Sequence, residues 1–112
     1  STETAHVVAM AMPLLPAAKR IVILTVEGAM VPGPSGEQLA RSLHRHGLSV
    51  ESVAMTAGKR NPGQVILDHA SEIGCDLLIK GAYTQSRIRQ MIFGGATSHI
   101  LANATIPVFM AH

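Results

Sequence analysis

This sequence predicts a doubly wound α/β domain, a parallel sheet with helices on both faces. Three observations carry the expectation. Helix-period and strand-like segments alternate along the chain. Two strand-like runs, "IVIL" and "DLLIK", are continuously apolar where a half-exposed strand would alternate, the pattern of strands buried on both faces. The junctions carry helix caps at Ser35 and Asn61 and stop glycines at Gly47 and Gly74. The 112 residues are one domain's worth, 1–112, with no repeat, low-complexity tract or composition shift to mark a second.

The elements follow in order. "TAHVVAMAMPLL" sets Ala5, Val8, Ala9 and Met12 at helical spacing, with Ser1 or Thr2 as N-cap and Glu3 favourable in the first turn. Pro13 and Pro16 are expected to end that helix. "RIVILTVE" is the first strand and "MVPGPSGE" a loop. Ser35 opens the second helix with Gln38 as capping-box partner, Leu39, Ala40 and Leu43 form its apolar stripe, and Gly47 stops it. "LSVESVAM" partly alternates, as an edge strand with one wetter face does. The third helix has Asn61 as cap, Pro62 at its first position and Gln64 two residues on. Val65, Ile66, Ala70 and Ile73 are its buried face, and Gly74 ends it. "DLLIK" is a short strand, "ATSHILAN" a helix and "IPVFMAH" the last strand. The order is α-β-α-β-α-β-α-β. A doubly wound domain normally opens on a central strand, so the first strand reads as missing.

Composition narrows the function. Hydrophobic residues make up 47% and charged residues 14%, which excludes a disordered chain. No apolar run approaches the roughly 20 residues that cross a bilayer. "STETAHVVAMAMPLLP" carries Glu3 and no basic n-region, so no signal peptide is expected there. Cys75 is the single cysteine, which points to a reducing, cytoplasmic setting. Nine Lys and Arg residues are spread along the chain, with no Trp and only Tyr83, Phe93 and Phe109 as aromatics, unlike a nucleic-acid binder.

The chemistry concentrates in "GAYTQSRIRQMIFGGATS", residues 81–98. It follows a strand and opens a helix, where ligands of open α/β sheets sit. Gly94 and Gly95 let backbone N–H groups approach an anion, the helix start supplies a positive dipole end, and Thr97 and Ser98 offer hydroxyls. The plainer alternative is that Gly81, Gly94 and Gly95 only satisfy turn geometry. Arg87 and Arg89 either screen phosphate or form a solvated face, and Lys80 is equally open. His44 and His46, two apart, point in different directions and suit a helix C-terminus. His69 lies on an apolar stripe as a packed histidine. His6, His99 and His112 lack partners at metal-ligand spacing. Cys75 reads as a buried, inert thiol, and no nucleophile elbow or acid/base pair of Asp68 and Asp76 is legible. No catalytic or metal site is expected.

"GCDLLIKGAYTQSRIRQMIFGGATSHILANATIPVFMAH" resembles the C-terminal half of a universal stress protein domain. That family runs a strand after "G-A-D-L", a glycine loop, an "S-R-(L/I)-(R/K)" segment, "G-(G/S)-x-(T/S)", a helix and a "(V/I)-P-V" strand. "STETAHVVAMAMPLLPAAKRIVILTVEG" is similar to its first helix and second strand, most like the second half of tandem members. The resemblance implies five parallel strands in the order 3-2-1-4-5, with this sequence starting just after the central first strand. Ser1 then matches the serine closing "D-x-S" or "N-x-S". The flanking strands would face a gap of roughly 10 Å unless a longer protein supplies that strand.

The resemblance also implies a ligand, ATP or another adenine nucleotide. ATP-binding members read G-x-x-G, nine residues, then G-(S/T). Gly81 and Gly94 match the first and third glycines, Thr84 stands at the second, and Gly95 replaces the hydroxyl residue. Thr84 adds a Cβ and Gly95 removes a donor, so the implied site is a weakened one. It would comprise Gly81, Thr84, Gly94, Gly95, Thr97 and Ser98, with Val26 as a wall. Members dimerise through the last strand, here Ile106 to His112, with a sister domain or a second copy; an exposed apolar edge favours such pairing. The implied function is a cytoplasmic nucleotide-sensing stress-response module. The alternative is a non-binding half of a tandem protein serving in dimerisation, and a nucleotide hydrolase comes last.

Overall fold

The computed structural model of the chain describes residues 2–27, 35–81 and 95–111. Helix α1 (Thr2–Ala11) runs into a 3-10 segment (Met12–Ala17). Then come β1 (Ile21–Glu27), α2 (Gly36–Arg45), β2 (Val50–Thr56), α3 (Pro62–Glu72), β3 (Leu78–Gly81), α4 (Ala96–Asn103) and β4 (Val108–Ala111). The fold is α/β, with parallel strands and helices in alternation.

Local chemistry accounts for most boundaries. Pro13 cannot donate to an α-helical ladder, and α-geometry stops at Ala11. The helical path does not end there, however. A 3-10 segment, needing only shorter bonds, carries the chain past Pro16 and closes with Ala18 N–H on the Leu15 carbonyl at 3.0 Å. Leu15 is 6% exposed, and its burial explains why the segment stays folded through two prolines. At α2 the Ser35 hydroxyl accepts from Gln38 N–H at 3.1 Å while Ser35 N–H donates to Gln38 Oε1 at 2.8 Å, a complete capping box. The helix ends at Arg45, and just past its C-cap Gly47 has a φ of 81° that suits glycine. There His46 Nδ1 donates to the Ser42 carbonyl at 2.9 Å. Asn61 caps α3, its side-chain oxygen accepting from Gly63 N–H at 2.7 Å.

Among the described residues the strands form two two-stranded sheets. β1 runs parallel to β2 from Ile21↔Val50 to Glu27↔Thr56, and β3 parallel to β4 from Leu78↔Val108 to Gly81↔Ala111. Yet one helical layer serves both. Leu15, Ala40, Leu43 and Val50 form a core against which Ile21 and Ile23 of the first sheet and Ile79 of the second all pack. α2 lies close on β1: a Cβ on Gly36 would fall 2.4 Å from Thr25 Oγ1 and 3.4 Å from Ile23 Cγ2. Since Ile79 faces the α1–α2 layer, Leu78 and Lys80 face away from it. α3 and α4 pack on one another, and α3 also meets β1.

Ile21, Val22, Ile23 and Leu24 are all half-buried whatever their parity. Cover on both faces matches their continuous apolar pattern. Its incompleteness goes with β1 having a ladder neighbour on one side only among the described residues. β2 alternates more, with Glu51 exposed and held by Arg20 at 2.9 and 3.0 Å.

Candidate functional site

Parallel pairing fixes which end of the molecule Gly81 and Gly95, the described flanks of the candidate stretch, occupy. β3 and β4 run in the same direction, so α4 between them must run back, and its N-terminus lies at the strands' carboxyl ends. α3 starts at the same end. A Cβ on Gly63 would sit 2.8 Å from the Ala96 carbonyl and 2.9 Å from His99 Cβ, so the first turns of α3 and α4 touch where Gly63 has no side chain.

Gly81 closes β3 and is buried, and Val26 is half-buried near the end of β1. Gly95 is the N-cap of α4, with extended backbone (φ −133°, ψ 171°) and no side chain to cap the helix. The first-turn N–H groups of an α-helix have no intrahelical acceptor, and the N-cap Gly95 brings no side chain to take one. Thr97 is only 2% exposed, whereas Ser98 on the next position is exposed. The inward side chain is therefore Thr97 and the surface hydroxyl is Ser98. Thr84 and Gly94, and with them Arg87 and Arg89, lie outside the described residues.

Lys80 precedes Gly81 and is half-buried, its Nζ donating to the Gly81 carbonyl at 2.9 Å. Burial lowers its pKa from the ordinary 10.5. The sign follows from linkage. Below the lowered folded pKa both states carry the charge, and folding bears the whole desolvation cost. Between that pKa and about 10.5 only the unfolded chain stays protonated, so stability rises with pH. Lys80→Met is accordingly expected to raise the melting temperature at pH 7, with its advantage over the wild type shrinking as pH approaches 10.5. Thermal melts at pH 7, 9 and 10.5 check this.

A second set of side chains joins the two helix starts. Gln64 Nε2 donates to Asp68 Oδ1 at 2.7 Å, and Gln64 Oε1 lies 2.7 Å from His99 Nε2. Arg60 donates to the other Asp68 oxygen. The bond from Gln64, with that from Arg60, holds the Asp68 carboxyl below its usual range. Sequence spacing places Gln64 as a cap residue and leaves His99 without a partner. The structure instead spends the Gln64 side chain on a contact 35 residues away. Only the i,i+4 spacing of Gln64 and Asp68 hinted at it.

The other singled-out residues stand apart from this end. His69 is packed, 14% exposed at its side chain, with Nε2 buried and unpartnered among the described residues. Cys75 is half-buried, its thiol on the Leu77 carbonyl at 3.1 Å. No three His, Cys, Asp or Glu residues among those described could hold a metal ion. No helix among them is long and apolar enough to cross a membrane. A groove of about 670 Å³ between α1 and α2, lined by Val8, Met12, Leu39 and Leu43, takes in none of the candidate nucleotide residues.

Comparison with known proteins decides the family. The model of the universal stress protein family matches residues 5–112. The chain belongs to the universal stress protein family. The match covers almost the whole chain, so this universal stress protein domain includes both helix starts and the residues between β3 and α4. The domain is also similar to the "Stress response protein NhaX" of Bacillus subtilis (strain 168), 32% identical over 50 residues, or 45% of this chain. That match takes in 30% of the relative's length. No solved structure matches the domain.

Proposed function

We propose that this universal stress protein domain binds an adenine nucleotide across the carboxyl ends of its strands and acts as a cytoplasmic stress-response sensor. The observation that carries the reading is the start of α4. First-turn N–H groups without a capping side chain stand at that end of the sheet, beyond Gly81, and suit a phosphate's oxygens. Gly81, Thr84, Gly94, Gly95, Thr97 and Ser98 would surround the phosphates, and Val26 would wall the base. With Gly95 lacking a hydroxyl and Thr97 turned inward, the backbone and Ser98 do most of the holding, which suits weak binding. The same two observations favour one second reading: a half of a tandem protein that no longer binds and serves in dimerisation through Ile106 to His112.

We further infer that β1 and β3 flank the place of a central strand, which would make the described strands the second to fifth in the order 3-2-1-4-5. The support is a sheet divided in two under a shared helical layer, with both flanking strands half-buried. A structure of the full-length protein with β1 and β3 directly paired would contradict it.

The domain has no Trp and one Tyr, so bound nucleotide dominates its near-ultraviolet absorbance. Full-length protein is expected to release heat on ATP titration and, dialysed to equilibrium against ATP, to hold adenine absorbance near 260 nm in excess of the dialysate. No excess absorbance together with a flat titration supports the dimerisation reading instead.

A further inference from the structure

We propose that His99 is a positioning residue for the nucleotide-facing turn of α4, held as the Nε2–H tautomer by a relay through Gln64 to Asp68. Its role rests on the nucleotide-binding reading above, while its geometry does not.

The relay's polarity follows from its anchored end. An ionised Asp68 only accepts, so the Gln64 atom 2.7 Å from Oδ1 is the amide nitrogen. That turns the Gln64 oxygen towards His99, and an amide oxygen also only accepts. The atom it meets at 2.7 Å, His99 Nε2, must therefore carry hydrogen. In the neutral ring Nδ1 is left as the acceptor. Arg60, bonded to the second Asp68 oxygen, keeps the anchor ionised.

The relay joins two elements at one place. Gln64 and Asp68 stand one turn apart on α3, His99 lies in the first turn and a half of α4, and beside them Gly63 lets α3 approach the Ala96 carbonyl. α4 has only eight residues and no side-chain cap, and so short a helix frays unless its start is tied. Apolar packing through Ile100 holds α4 on its neighbours, but such contact is non-directional and does not by itself set the helix's rotation about its axis. A directional bond at His99 fixes that rotation, and with it the aim of the N–H groups of Ala96, Thr97 and Ser98. A phosphate bound by those groups depends on that aim.

The test compares full-length wild type with Gln64→Met. Long-range proton–nitrogen spectra at neutral pH should show His99 protonated at Nε2 in the wild type. Gln64→Met, which removes the acceptor, should give a tautomer mixture. Protection of the His99 and Ile100 amides from exchange should fall about fivefold in Gln64→Met, the loss expected for one hydrogen bond, with β1–β2 amides unchanged. ATP affinity should fall by a similar, roughly fivefold factor. Protonation at Nδ1 in the wild type, or a Gln64→Met variant with unchanged tautomer and exchange, overturns the relay. If the wild type binds no ATP, the tautomer and exchange results still decide the relay, and it is the nucleotide reading that has failed.

Discussion

Gly63→Ala is expected to lower the melting temperature by about 5–10 °C, although alanine is the better helix former. The substitution gains about 1 kcal/mol of helix propensity. Against this, the new methyl would sit 2.8 Å from the Ala96 carbonyl oxygen, 2.9 Å from His99 Cβ and 3.0 Å from Asn61 Oδ1. Two of these belong to α4 and one to the α3 cap, so relief requires the helix starts to separate. Overpacking against a backbone oxygen costs about 2–3 kcal/mol, the upper part of the usual range, so about 1–2 kcal/mol of loss remains, and a domain of this size loses roughly 5 °C per kcal/mol. The contact also sits beside His99, so the shift should disturb the start of α4 more than β1 or β2. Thermal melts and amide exchange of the variant check both parts. A variant as stable as the wild type, with α4 exchange unchanged, would show that the two helix starts do not touch.

Ile100→Ala should cost more, about 2–5 kcal/mol. Ile100 is 0% exposed, and α4 has one other buried side chain, Thr97. Removing it takes away the helix's main apolar anchor and leaves a cavity that α3 and α4 cannot fully close. Against a total stability of about 5–15 kcal/mol, that loss brings the domain near its limit. The neighbouring Leu101 is 61% exposed, and Leu101→Ala should stay within about 0.5 kcal/mol of the wild type. Paired urea titrations would report both; equal effects would mean that α4 is rotated from the orientation described.

Much of the fold is local chemistry and was legible from the chain. The Ser35–Gln38 box, the Asn61 cap and the positive-φ glycines Gly47 and Gly74 are short-range rules, and each stands where the spacing places it. The 3-10 run over Pro13 and Pro16 was not legible, because what holds it is the burial of Leu15 among residues of other elements. Nor was the partnership of Gln64 and His99, which depends on two helix starts meeting across 35 residues. The candidate loop shows the same divide. Its glycines and hydroxyls could be named from the chain, but that Thr97 turns inward and Ser98 outward depends on how α4 packs. Thr84 and Gly94 lie outside the described residues, so their part in the loop remains an expectation.

The most direct test of the central claim is an ATP titration of the full-length protein followed by backbone amide shifts. Binding across the strand ends predicts that Val26, Gly81, Gly95, Thr97 and Ser98 move together with one saturating affinity, while β2 and the groove between α1 and α2 stay still. Shifts confined to that groove, or none at millimolar ATP, would contradict it.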